Sequence, residues 1–186
     1  MNTQLERLAV PRIVPKIVPL KSNLSRAIFS PCRLYRYALF RQWGENRQNA
    51  CMFIGLNPST ADEIQNDPTV TRCIRYAYSW HFDAMFMMNA YAYRSTGPDA
   101  LKSVADIIGP QNDDYLRDTQ MHATLAVACW GNHIDTERQA RIVKLFCYYD
   151  LQCLGHNKNG TPKHPLYIAH KTPLRNFVKG ETRCRD

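Results

Sequence analysis

The chain has 186 residues, 45% of them hydrophobic and 22% charged, with a formal net charge of +8 and an isoelectric point near 9.2. That length and balance suit one globular domain with a real core. No stretch approaches the roughly 18 consecutive apolar residues of a membrane span, and no apolar segment near Met1 suggests a secretory signal. The positive surplus suits a polyanionic partner.

Residues 1–29 carry Pro11, Pro15 and Pro19 between Arg12, Lys16 and Lys21. Prolines so spaced exclude a regular helix. An extended basic arm that lies along phosphates, or a merely solvated tail, is expected there. Residues 30–186 are expected to form a single domain. Residues 32–43, rich in aromatics, read as an antiparallel edge strand or hairpin arm ending at Gly44.

The run Ala50 to Leu56 is too short for a buried helix and reads as a buried, parallel strand. It stops in Gly55-Leu56-Asn57-Pro58-Ser59, where Pro58 has no N–H to continue a ladder. Asp67-Pro68 then offers a cap and a first helical residue. Val70, Cys73, Ile74 and Ala77 follow helical spacing toward an end near Trp80. A second apolar run, Ala84 to Met88, stops at Asn89, and Ser95-Thr96-Gly97-Pro98 signals a turn. Residues 98–123 read as short helical pieces broken at Gly109-Pro110. A third run, Leu125 to Cys129, stops at Trp130-Gly131-Asn132. Residues 136–149 read as an amphipathic helix with Ala140, Val143, Leu145 and Phe146 among its apolar positions. A fourth, shorter run, Leu151 to Leu154, stops at Gly155-His156, before an irregular loop through Lys163-His164-Pro165 and a basic tail from Lys171.

Four apolar runs alternating with helical segments predict an α/β fold: a three-layer α/β/α arrangement around a four-stranded, mainly parallel central sheet. In such sheets the ligand crevice lies beyond the carboxyl ends of the strands. Asn57, Ser59, Thr60 and Asp62 therefore fall where chemistry is expected, although all are also ordinary turn formers. The seven cysteines (Cys32, Cys51, Cys73, Cys129, Cys147, Cys153 and Cys184) include no C-x-x-C pair. They argue against a disulfide framework, a zinc site or an iron–sulfur site, and toward a reducing cytoplasm. No metal, no cofactor and no obligate protein partner is expected.

The motifs Gly-Leu-Asn-Pro-Ser-Thr-Ala-Asp (55–62), Asn-Ala-Tyr-Ala-Tyr-Arg (89–94), Trp-Gly (130–131) and Lys-His-Pro-Leu-Tyr (163–167) resemble, over roughly residues 31–170, a bacterial and phage family labelled as a domain of unknown function. More distantly, the same landmarks in the same order are similar to those of the uracil-DNA glycosylase superfamily. That resemblance implies roles. Asn57 matches the first-motif position that holds the attacking water in the mismatch-specific branch. Asn89 matches the Asn that hydrogen-bonds the flipped base, and His164 the His that stabilises charge on the departing base. Pro58, Ser59 and Gly131 match backbone positions that line the pocket or grip phosphate. A stacking aromatic is implied, with Tyr91 and Tyr93 as candidates. Two departures stand out. Ser59 replaces a Tyr that excludes bases bulky at ring position five, which leaves room for a larger, modified pyrimidine. Leu166 replaces the usual Ser after the His-Pro pair.

Breaking an N-glycosidic bond builds cationic character on the sugar and negative charge on the base. An Asn can position water but cannot take its proton, so Asp62, the acid within the first motif, is the expected base or cation stabiliser, or else a turn or capping residue. The Asn89 amide can read a pyrimidine edge. The His164 imidazole can donate to a base carbonyl oxygen whether neutral or charged. Duplex DNA hides the bond, so the base must be flipped out, and Arg94 and Lys163 are expected phosphate contacts. The expected activity is that of a monofunctional DNA glycosylase, with defence against phages carrying modified DNA as a role. The alternatives are a glycosidase or transferase acting on free nucleotides, and a non-catalytic nucleic-acid binder.

Overall fold

In the computed structural model, which describes residues 24–169 and 171–178, the four apolar runs form four adjacent strands. They are β3 (Ala50–Gly55), β4 (Ala84–Asn89), β5 (Leu125–Ala128) and β6 (Leu151–Cys153). The pairs β3·β4, β3·β5 and β5·β6 are parallel. The sheet is larger than the four strands predicted. Strands β1 (Leu24–Phe29), β2 (Arg36–Gln42) and β7 (Arg175–Val178) make it a seven-stranded mixed sheet of order β1-β2-β4-β3-β5-β6-β7. β1·β2, β2·β4 and β6·β7 pair antiparallel.

Two expectations are corrected by these added strands, and one segment left without a secondary-structure reading gains an element. The arm placed over residues 1–29 does not reach Phe29, because Leu24–Phe29 pairs with β2; residues 1–23 lie outside the described residues. Strand β2 is not the edge, since β1 covers its outer side and all but its last residue are buried. The tail from Lys171 contains a strand, since Arg175 to Val178 pair with β6.

Alternation along the central strands explains the two-sided core. Cys51, Phe53, Met85, Met87 and Val127 cluster with Val70, Cys73, Tyr76 and Ala77 of helix α1 (Pro68–Ser79). Met52, Ile54, Met88, Ala126 and Ala128 cluster with Leu116 of α2 (Asn112–Gln120) and with Ile142 of α3 (Thr136–Leu145) and the adjoining Phe146. Each fully buried large side chain contributes about 1.5–3 kcal/mol, which is why β3 carries no polar residue. Helix α1 begins as predicted: Asp67 caps it, its Oδ1 accepting from the Val70 N–H at 2.8 Å, with Pro68 first in the helix. Residues 98–123 hold a 3₁₀ helix (Pro98–Ser103) and α2. Helix α3 is shorter than predicted, and its buried side is Arg138 and Ile142 rather than Ala140, which is exposed. Among the described residues no helix is long and apolar enough to cross a membrane.

Chain order fixes where a ligand can sit. From β3 the chain crosses to β4 on one side, then returns past β3 to β5 on the other. The crevice at such a reversal, beyond the carboxyl ends of β3 and β5, is the favoured ligand position in open α/β sheets.

Candidate functional site

Beyond Gly55 the chain leaves the sheet, and several residues explain its path. A Cβ on Gly55 would come within 2.7 Å of Met87 Cε and 2.9 Å of Asn89 Nδ2. Glycine here therefore makes space for the Asn89 amide on the neighbouring strand. Asn57 donates its Nδ2 hydrogens to the carbonyls of Pro58 (3.1 Å) and Ser95 (2.9 Å), tying the loop after β3 to the loop after β4. With both amide hydrogens committed, Oδ1 is the group Asn57 has left to offer, and it can only accept.

Two buried arginines on β2 hold the rest of this loop. Arg41 donates to the carbonyls of Asp62 (2.6 Å) and Gln65 (3.2 Å) and to Asn66 Oδ1 (2.8 Å). Arg36, 1% exposed, donates to the Ala61 carbonyl (2.9 Å) and to Asn89 Oδ1 (3.0 Å). Because only the oxygen of an amide can accept from a guanidinium, Arg36 fixes which way Asn89 faces and leaves Nδ2 as its donor. Burial pushes the Arg36 pKa down to about 10, with the charge of Asp67 opposing, so the guanidinium stays charged at neutral pH.

His164 opens a short 3₁₀ helix (Pro165–Tyr167), and its Nδ1 accepts the Leu166 N–H at 3.4 Å. An accepting Nδ1 puts the proton of the neutral ring on Nε2. Helix α1 anchors the segment that follows. Arg72 donates to the Pro165 and Ile168 carbonyls at 3.4 and 2.7 Å, and the Tyr76 hydroxyl to the Ala169 carbonyl at 2.8 Å. Gly131 faces this turn with φ +77, a conformation that favours glycine, and its N–H donates to the Pro162 carbonyl at 3.0 Å.

These loops enclose a cavity of about 640 Å³. Among the predicted site residues, Asn57, Ser59, Asn89, Gly131, Lys163 and His164 line it together. Four others do not. Asp62 turns away to cap its own loop, its Oδ1 accepting from Ile64 N and Gln65 N at 2.8 Å each. Those two N–H groups hold its carboxyl below the usual range. Tyr91 is buried with its hydroxyl donating to Asp135, the cap of α3, and burial together with Asp135 raises its pKa to about 12. It positions α3 and does not line the cavity. Pro58 is buried, and its carbonyl accepts from Ser95 N at 2.8 Å. Arg94 lies over the Phe29 ring, 4.9 Å from its centre, and donates to the Arg33 carbonyl at 3.2 Å.

Sequence reasoning missed Arg36, Asp67 and Tyr167. Arg36 sits in what reads as an edge strand, and Asp67 is already explained as a helix cap. Tyr167 lines the cavity, is 86% exposed and lies 5.5 Å from the His164 ring, so an aromatic stands at the mouth where neither Tyr91 nor Tyr93 does. Its place two residues after His164-Pro165 was the available signal. Among the described residues no three His, Cys, Asp or Glu groups gather as a metal site.

The electrostatics make two predictions. Burial lowers the His164 pKa below 6.5, with Asp67 opposing. A histidine depressed in the fold binds fewer protons than in the unfolded chain between those two values. Its contribution to stability is therefore fully present above about pH 6.5 and is lost as pH falls through the folded pKa. Denaturant midpoints measured from about pH 8 to about pH 5 should fall less steeply for His164→Gln than for the wild type. Asp62 outside the cavity predicts that Asp62→Asn, which can still accept in the turn, costs less than about 1 kcal/mol and leaves any activity of the cavity unchanged in a turnover assay.

The chain matches, over residues 36–166, the family described as protein of unknown function, DUF1643. No curated protein and no solved structure matches it. The matched span runs from Arg36, which orients Asn89, to Leu166, whose N–H meets His164, so it takes in the central strands and the loops that line the cavity. The chain belongs to the DUF1643 family.

Proposed function

We propose that this protein is a monofunctional DNA glycosylase that hydrolyses the N-glycosidic bond of a flipped-out, modified or damaged pyrimidine and leaves an abasic site. The observation that carries the reading is that Asn57, Asn89 and His164 line one cavity at the chain reversal of the sheet. Helices on both sides of a central sheet support a three-layer reading of the fold, similar to that of the uracil-DNA glycosylase superfamily.

Each group has a task in that chemistry. Asn57 Oδ1 accepts from a water and holds it against the sugar. Asn89 Nδ2 donates to an acceptor on the base edge, with Arg36 polarising the same amide. His164 Nε2–H donates to the base oxygen that gains charge as the bond breaks. Donors aimed at developing charge in a site shielded from water are the largest source of rate in such reactions. Tyr167 offers a face on which a base stacks. A cavity of about 640 Å³ exceeds what an unsubstituted pyrimidine fills, and Ser59 on its wall leaves space at ring position five. That space favours bulky modified pyrimidines, and hence a cytoplasmic role in defence against phages that carry them. The net charge of +8 favours DNA over free nucleotides as partner.

The test is incubation with DNA containing uracil or hypermodified pyrimidines, followed by alkali, which cleaves strands at abasic sites. Strand breaks on at least one such DNA are expected. Intact strands on all of them, with activity on nucleotide monomers, would move the substrate to free nucleotides.

A further inference from the structure

An Asn that holds a water cannot take its proton, and Asn57 has both amide hydrogens committed to carbonyls. The acid of the first motif, Asp62, caps its own turn away from the cavity. Another group must receive the proton when water attacks. Asp67 is the only carboxylate among the described residues that line the cavity, and it is 7% exposed.

Resting on the glycosylase reading, we propose that Asp67 is the general base of the reaction, receiving the proton of the water that Asn57 holds. Capping α1 uses Oδ1, which accepts the Val70 N–H; the second oxygen takes no part in that bond, and the residue lines the cavity. The cap fixes the carboxylate on a rigid helix rather than on a mobile loop. Its charge acts on both neighbouring groups of the site, offsetting the burial of Arg36 and of His164. The carboxylate is therefore supplied from the start of the helix that follows the first motif, and not by Asp62 within it.

The step balances as a hydrolysis. The water oxygen forms a bond to the sugar C1′ as the C1′–N bond breaks, and the electron pair of that bond leaves with the base. The water proton passes to the Asp67 carboxylate. The His164 Nε2–H and the Asn89 Nδ2–H steady the base anion until it takes up a proton, and Asp67 returns its own to solvent. The carboxylate also faces the cationic character that builds on the sugar as the bond lengthens.

Asp67→Asn tests the assignment, because asparagine caps a helix as well as aspartate does but cannot take a proton. Single-turnover base release from DNA carrying modified pyrimidines should fall by about 10²–10⁴-fold, while DNA affinity stays close to wild type and α1 stays capped; the unfolding midpoint should fall modestly, because the charge that offsets the burial of Arg36 is gone. The rise in wild-type rate with pH that a carboxylate base imposes should disappear in the variant. An Asp67→Asn protein that releases base within about threefold of the wild-type rate, or keeps the same pH profile, overturns the assignment and leaves the glycosylase reading standing. A wild type that releases no base from any of these DNAs overturns the glycosylase reading and this assignment with it.

Discussion

His164→Ala is expected to lower single-turnover base release by about 10²–10³-fold, the usual cost of removing one donor from a developing anion. Substrate affinity should fall less than the rate, because the donor matters most once charge has built on the base. The wild-type imidazole is held neutral by burial, with its proton on Nε2, since Nδ1 accepts from Leu166 N. The neutral form is already a donor. His164→Gln keeps an N–H of similar reach and should recover part of the lost rate. A charged imidazolium as the working form would instead make the rate fall with rising pH through the histidine range, and glutamine would not rescue it. The tilted contact with Tyr167 adds a second effect. Alanine removes the ring against which Tyr167 rests, so the exposed aromatic at the mouth loses its position as well.

Arg36→Met should separate stability from activity. Two opposed effects act on stability. Methionine leaves the Ala61 carbonyl and Asn89 Oδ1 without their donor, at about 1–3 kcal/mol for each group that stays unpaired. It also removes a buried charge whose desolvation is expensive, and apolar replacements of such charges are often neutral or stabilising. The Nε of Arg36 is buried without a partner, so part of that desolvation is uncompensated in the native protein. The net change in unfolding free energy should therefore stay within about 2 kcal/mol. Base release should nevertheless fall by about 10²-fold, because the Asn89 amide loses the contact that orients it and misplacement on the order of 1 Å has that cost. Arg36→Lys should fall between the two. One ammonium cannot reproduce the forked contact to Ala61 and Asn89, although it retains the charge. If activity and stability instead fall in proportion, Arg36 is a structural residue and the role assigned to it is wrong.

What the residues revealed in advance follows from how strongly each is constrained. The four central strands were legible because burial on both faces demands unbroken apolar runs, and Ala50 to Leu56 or Ala84 to Met88 admit no other reading. The start of α1 was legible because Asp67 and Pro68 are what a helix N-terminus requires. Strands β1 and β7 were not. Leu-Ser-Arg-Ala-Ile-Phe is only half-buried throughout, and Arg-Asn-Phe-Val is exposed over its first half, so neither shows the alternation that burial imposes. The position of β2 was misread for the same reason: with β1 unseen, it appeared to be an edge.

The site divides along similar lines. Asn57, Asn89 and His164 follow landmarks that end strands or open turns, and their convergence follows once the strand order is known. Asp62 takes the turn role rather than the catalytic one, because closeness in sequence to Asn57 does not bring a side chain into the cavity when two backbone N–H groups hold its carboxylate in an Asx turn. Arg36 was overlooked because a strand arginine ordinarily faces solvent. Only the fold shows that it lies buried against the loop after β3. Tyr91, offered as a stacking residue, is buried because Asp135 needs a donor at the start of α3.

The most direct measurement of the central claim is mass spectrometry of the small molecules released when the protein is incubated with several phage DNAs that carry different modified pyrimidines. The account predicts a free modified base and an equal number of abasic sites from at least one DNA, with both products formed about 10²–10³-fold more slowly by the His164→Ala protein under the same conditions. DNA that binds with steep salt dependence yet yields no free base from any source would contradict it, and would leave a nucleic-acid binder without catalysis.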